Sequence, residues 1–277
     1  MPYQRARMTL PDFLPAQGLL AHLTELQVSA AGAVAHIRLN RPAKRNAINE
    51  ALMQQLHTAL IHLPASAGAL VISGEGPHFC AGLDLSDLSD RSVAEGIHHS
   101  RGWHAVMDAL QYFRVPVVVA LQGAVVGGGL ELAAAAHIRV ADASTYFGLP
   151  EGQRGIFVGG GGSARIPRLA GVACMTDMML TGRVLDASEG ERRGLVQYVV
   201  PEGGSLAKAV ALAQRIATNA PLSNYAVVQA LPRIADMAQS DGLFVESLMA
   251  AIAQGDEAAK QRLADFLQGR AAKVLKT

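Results

Sequence analysis

The chain has 277 residues, half of them apolar, and a net charge of +1 from 24 basic and 23 acidic side chains. That length allows one large core, or one domain with a small appendage, and the even charge leaves neither a basic stripe to follow a nucleic-acid backbone nor an acidic tail. Two distant cysteines, Cys80 and Cys174, have no CxxC or metal-type spacing and read as reduced thiols of a cytoplasmic protein.

Residues 1–24 read as an N-terminal extension. Arg5 and Arg7 are followed by Asp12 and by no long apolar stretch, which is not the pattern of a secretory signal. The first strand is expected over Ala33–Asn40, where His36 and Arg38 alternate with apolar positions. RPAKRNAI then turns into a helix, with Asn49 as N-cap and Leu52, Leu56, Leu60 and Leu63 at helical spacing. Ala69–Gly74 is a short buried strand, and EGPHFCAGLDLSD a turn-rich connection. A helical pattern runs from about Val93 to Phe113. VPVVVALQG has the β-branched run of a strand buried on both faces, and HIRVAD gives another strand. The apolar segment Val115–Leu130 contains Pro116, Gln122 and glycines, so it reads as strand, turn and helix start rather than a membrane span. Strands alternating with helices predict an α/β fold with parallel pairing. From Ser205 onward three helical patterns follow without a strand, so the expected division is a core over 25–204 and a helical region over 205–277.

The stretch GAVVGGGLELAAAAH sets the functional problem. Glu131 stands alone in apolar company, where a carboxylate is costly unless something pairs with it or uses it. Gly127, Gly128 and Gly129 precede strong helix formers, so bare N–H groups at a helix start could receive a carbonyl oxygen that becomes an oxyanion. The bland alternative is close helix packing, with Glu131 reaching an arginine. In FCAGLDL, glycine in a tight turn exposes the N–H of Leu83, a second possible donor, unless this is an ordinary loop capped by Asp84. In FGLPEGQRGIFVGGGGSARIPRLAG, Pro150 sets the direction in which Glu151 leaves the chain, and Ser163 is placed to cap the next helix. No Lys-Ser/Thr follows those glycines, so this is not a phosphate-binding P-loop. His98, His99 and His104 crowd Trp103 without carboxylate or thiolate partners at metal-site spacing; no metal site is expected, and a half-exposed helix face fits them better.

These motifs together, NRPAKRNAI, FCAGLDL, GAVVGGGLELA, FGLPEGQRGIFVGGGGS and LTGRVLDASEGERRGLVQYVV, resemble the crotonases, the enoyl-CoA hydratase/isomerase superfamily, and within it are most similar to the enoyl-CoA hydratases. The resemblance implies a spiral of ββα units followed by a C-terminal helical trimerisation region, hence a homo-oligomer. It implies an acyl-CoA substrate whose thioester carbonyl sits between the N–H groups of Leu83 and Gly128. Glu131 and Glu151 match the family's glutamate pair, Glu131 acting mainly on water and Glu151 on the α-proton, and Gly159 matches a glycine that helps place the water. Ala81 matches a backbone contact to adenine, while Lys44, Arg45 and one of Arg270 or Lys273 are candidates for CoA phosphates. No cofactor is implied beyond the CoA of the substrate. Val158 replaces a proline frequent in the family, and Arg154, where apolar residues are common, could pair with Glu151. The resemblance leaves double-bond isomerisation, or hydration coupled to cleavage of an aromatic acyl group, as the alternative reaction. The helix matching a lysine-rich RNA-binding helix of some members reads NEALMQQLHTALIHL, without lysine, which argues against RNA.

Overall fold

The computed structural model describes residues 10–87 and 91–270. Strands β1 (Leu14–Pro15) and β2 (Leu26–Ala31) lead as an antiparallel ribbon into β3 (Val34–Leu39). From there the chain repeats one move: a strand in a large sheet, a short extended contact in a second layer, then a helix. The first turn runs from β3 through Ile48 to α1 (Glu50–His62), whose first turn is capped by the Asn49 side chain accepting from Leu52 N. The second runs from β4 (Ala69–Gly74) through Cys80 and Leu83 to α2 (Val93–Gln111). The third is β5 (Val117–Leu121), β6 (Ala124–Val126) and α3 (Gly128–Ala135). The fourth is β7 (Ile138–Asp142), β8 (Tyr146–Gly148), then α4 (Gly162–Ala170) and α5 (Val172–Thr181). β9 (Leu185–Asp186) closes the second layer, α6 (Ala187–Arg192) follows, and β10 (Tyr198–Val200) pairs in parallel with β7.

The large sheet has seven strands in the order β1-β2-β3-β4-β5-β7-β10, parallel from β3 onward. The second layer stacks Ile48 on Leu83, Cys80 on Val125 and β6 on β8, all in parallel. Successive turns therefore superpose, and the result is the expected spiral of ββα units. The period-two alternation of the central strands explains their unbroken apolar sequence. Leu70, Ile72, Val117, Val119 and Leu121 face the core shared with α1, α2 and α3, while Ala69, Val71, Val118, Ala120 and Val140 face the opposite side. Helix α7 (Ser205–Ala217) covers that second face through Ala209, Val210 and Ala213.

Beyond α7 the helical patterns break more often than their sequence suggests. The stretch around Pro232 divides into α8 (Pro221–Tyr225), a π-helical turn over Ala226–Ala230 and α9 (Leu231–Ala235). Proline lacks the N–H that a regular helix would use, and widening upstream is a common accommodation. The last of the three helical patterns is two helices, α10 (Gln239–Gly255) and α11 (Glu257–Leu267). Asp256 adopts an extended conformation between them, and its side chain caps α11 at Ala258 N. Among the described residues no helix is long and apolar enough to cross a membrane.

Candidate active site

The spiral brings the separate glycine motifs to one cleft of about 270 Å³. Leu83, Gly128, Glu131, Glu151 and Gly159 all line it, with Trp103, His99 and Ser100 from α2 and with Ile156, Phe157 and Val158 from the loop before α4.

Two backbone donors arise from the layering itself. Ile48 N donates to Gly82 O at 2.7 Å and Asp84 N to Ile48 O at 2.8 Å, so strand alternation turns the N–H of Leu83 the other way, toward the cleft. Gly128 is the first residue of α3, where no carbonyl one turn back can accept its N–H. The two groups are neighbours: a Cβ on Gly128 would lie 3.5 Å from Leu83 N, and one on Gly82 3.4 Å from Gly128 N. Neither N–H has an acceptor among the described residues. Gly127 makes the turn into α3 with φ +52°, a left-handed conformation for which glycine is suited. A Cβ there would also overlap Glu151 Oε1.

Glu131 sits one turn into α3, 3% exposed. Its Oε1 accepts from Gly160 N at 2.8 Å and from Gly162 N at 2.7 Å, so two glycines just after the expected water-placing Gly159 hold the carboxylate. Gly159 itself lines the cleft, and its carbonyl accepts from Ser100 Oγ at 2.6 Å. Burial pushes the Glu131 carboxyl up, against the N–H groups of Gly162 and Gly160 and the nearby charge of Arg165, which favour its ionised form. Glu151, 8% exposed, follows the turn at Pro150 and opens a short 3₁₀ turn over Gly152–Arg154. Its Oε2 is buried without a hydrogen-bond partner among the described residues. Burial pushes its carboxyl up as well, and the Glu131 charge pushes it further. The pair is thus asymmetric: Glu131 is held by donors, whereas Glu151 is desolvated beside another carboxylate.

Several expectations change. Ser163 does not cap α4; the helix starts two residues earlier than that cap would place it, at Gly162, with Gly161 at the cap and Ser163 in the first turn, so the glycine loop enters the helix without a side-chain cap. Arg154 is exposed and forms no ion pair with Glu151 among the described residues, acting on it only through its field. The bland reading of Glu131, paired directly to an arginine, gives way to the two glycine N–H groups. Asp84 accepts from Ser86 and from Arg41 Nη2 at 2.9 Å, which holds its carboxyl down at about 2. His99 and His104 are half-buried: His99 lies 5.5 Å from the Trp103 ring, and His104 meets Ser100 Oγ. Ala81 donates its N–H to Arg45 O at 3.0 Å, which joins its segment to the turn bearing Lys44 and Arg45; both basic side chains are exposed and lie outside the cleft lining. Arg270 pairs with Asp265, and Lys273 lies outside the described residues.

Sequence reasoning missed four residues around Glu131. Gly160 and Gly162 are its donors, Ser100 anchors Gly159, and Arg165 anchors the carbonyl of Gly160 at 3.3 Å. Four consecutive glycines give no signal of which N–H points where. Trp103 is more central than a helix face: a Cβ on Gly128 and one on Gly160 would each lie 3.2 Å from its ring.

The profile of the family described as enoyl-CoA hydratase/isomerase matches residues 29–273. The chain is 34% identical over 250 residues to 2,3-dehydroadipyl-CoA hydratase of Escherichia coli (strain K12), covering 90% of this chain and 97% of that one. A crystal structure from Rhodopseudomonas palustris CGA009, provisionally named an enoyl-CoA hydratase, superposes with a TM-score of 0.87 at 56% identity, covering 93% of this chain and all of that one. The enoyl-CoA hydratase from Bacillus anthracis superposes with a TM-score of 0.84 at 29% identity, over 90% of this chain and 98% of that one.

Proposed function

The chain belongs to the enoyl-CoA hydratase/isomerase family, enzymes acting on CoA thioesters, and from that membership we propose that it adds water to a trans-2-enoyl-CoA to give a 3-hydroxyacyl-CoA. The observation that carries this reading is the asymmetric pair of buried carboxyls beside two unpaired backbone N–H groups.

The thioester carbonyl sits between the N–H groups of Leu83 and Gly128, which stabilise negative charge on its oxygen as the enolate forms. Glu131, ionised and fixed by Gly160 and Gly162, takes a proton from water as the water oxygen bonds to the β-carbon. Glu151, whose Oε2 has no hydrogen-bond donor among the described residues and which lies beside the Glu131 charge, gives its proton to the α-carbon as the enolate collapses. One hydroxyl and one hydrogen are added, and the proton held by Glu131 returns to Glu151 through water to close the cycle. The reaction is acid–base chemistry and takes no cofactor beyond the CoA of the substrate. Ala81, Lys44, Arg45 and the C-terminal Lys273 are the proposed CoA contacts. The protein works in the cytoplasm as a homo-oligomer; two unpaired cysteines and an exposed apolar face on the C-terminal helices support this reading.

The test is a panel of trans-2-enoyl-CoAs, from crotonyl- and cinnamoyl-CoA to 2,3-dehydroadipyl-CoA, followed by loss of the conjugated thioester absorbance and by product mass. Glu131→Gln and Glu151→Gln should each lower kcat by about 10²–10⁴-fold. A product with a moved double bond or a cleaved carbon–carbon bond, instead of a gain of one water, would replace hydration by the alternative reaction.

A further inference from the structure

The glycine loop before α4 is held from two sides, and one of its anchors lies outside the cleft. Each planar peptide ties a carbonyl to the next N–H, so fixing one orients the other. Ser100 Oγ fixes the carbonyl of Gly159, in the same peptide as the Gly160 N–H that reaches Glu131. The carbonyl of Gly161 accepts from Ala164 N and Arg165 N, each at 3.2 Å, in the same peptide as the Gly162 N–H. The peptide between them is held by a side chain: Arg165 Nη1 donates to Gly160 O at 3.3 Å. The rest of that guanidinium is fixed by Gln111 Oε1 at 2.6 Å and by an ion pair with Asp108, both on α2. Arg165 is 8% exposed and packs so closely under the loop that a Cβ on Gly161 would overlap Nη1. On the other side, a Cβ on Gly162 would lie 2.7 Å from Glu131 Cγ.

We propose that Arg165 is a positioning residue: from beneath the glycine loop it fixes the N–H groups that hold Glu131. This rests on the hydratase reading, in which Glu131 must accept a proton. The charged and titratable neighbours of the pair divide by element. Arg165 comes from α4, paired to Asp108 of α2; Glu151 and Arg154 come from the loop after β8; α2 also presents His99 and His104, and Arg91, just before α2, lines the cleft. Arg165 is the arginine whose field stabilises the charged form of Glu131. It does not line the cleft, so it acts through the loop and not on substrate.

The experiment pairs kinetics with a direct titration. The Glu131 carboxyl of the substrate-free enzyme is followed by ¹³C NMR on glutamate-labelled protein, assigned by its loss in Glu131→Gln. In Arg165→Gln, kcat should fall about 10²-fold with KM within about threefold of wild type, as expected for a displaced catalytic group. The Glu131 titration and the acid limb of kcat/KM should both move to higher pH, because loss of the cation disfavours the carboxylate. Arg165→Lys keeps the charge but not the three-way fork, so the titration should stay near wild type while kcat still falls about tenfold. Ser100→Ala, which releases the first peptide, should lower kcat several-fold. A folded Arg165→Gln enzyme whose Glu131 titration does not move overturns the proposal, whatever its kcat. If that variant does not fold, an Arg165→Lys enzyme with wild-type kcat overturns it. Failure of the wild type to hydrate any enoyl-CoA would instead sink the hydratase reading and leave the titration result standing.

Discussion

At the scale of single residues, the site is built at a cost to the fold. Glu151 is buried, and its Oε2 has no partner among the described residues. Burial, and then the charge of Glu131, raise its pKa above the ordinary glutamate value. The linkage sign follows: a carboxyl raised in the folded state favours folding where it is protonated, below its unfolded pKa, and that contribution is lost as pH rises through its folded pKa. Above its unfolded pKa the buried Glu151 carboxyl therefore opposes folding, and at pH 8 Glu151→Gln should stabilise the protein by about 0.5–2 kcal/mol, a few degrees in Tm, while removing hydration. Thermal unfolding of the two proteins at pH 8 and at pH 4.5 checks this; the gain should shrink at the lower pH. An equal or lower Tm for the variant at pH 8 would mean that the ionised carboxylate is satisfied by its surroundings. The sequence pointed to Glu131 because charge in an apolar run is costly and asks for a use, and to Glu151 through the resemblance of its motif to the family's second glutamate. It was silent on Arg165 and Ser100, whose roles exist only once α2, α3 and α4 are packed together.

At the scale of elements, legibility followed length and side-chain chemistry. The strand Ala69–Gly74 and the Asn49 cap were readable because each rests on local pattern. β6 and β8, three residues each, were not: such short segments have no period to detect and are strands only because neighbouring turns stack on them. The β3–β4 pair carries a separate, testable charge effect. His36 is 2% exposed, with Nε2 2.8 Å from Ser73 Oγ and its ring 5.1 Å from that of Phe13. Burial, and secondarily the Arg38 charge, push its pKa down to about 4. The unfolded chain takes up this proton near pH 6.5, the folded one only near pH 4, so stability falls as pH drops across that window, by about 3 kcal/mol at most. The two raised glutamates work in the opposite direction, so the comparison is with His36→Gln rather than with an absolute curve. Urea unfolding from pH 6.5 to 4.5 should show wild type losing stability more steeply than the variant, by up to one proton. Parallel curves would mean that the imidazole protonates within the fold.

At the scale of the whole molecule, the C-terminal helices divide into two kinds. Helix α7 spends its apolar face on the large sheet and completes the core. Helix α10 does not: Gly242 is its one buried residue, while Phe244, Leu248 and Ile252, at i, i+4 and i+8, are 66%, 48% and 48% exposed. Leu263, Phe266 and Leu267 of α11 are exposed as well. A monomer rarely leaves so continuous a stripe in water, and burying each large side chain is worth about 1.5–3 kcal/mol. This stripe is the face on which copies of the chain are expected to associate, and the same distribution explains why helical periodicity alone could not separate a core helix from one whose apolar face is left exposed. Both have the spacing, and only the presence of a sheet beneath α7 tells them apart. Sedimentation velocity of the full-length protein should therefore give a homo-oligomer, and Phe244→Asp with Leu248→Asp should shift it to a smaller species at micromolar concentration. A wild type that sediments as a monomer removes this reading. A double variant that keeps its oligomeric state moves the interface away from α10.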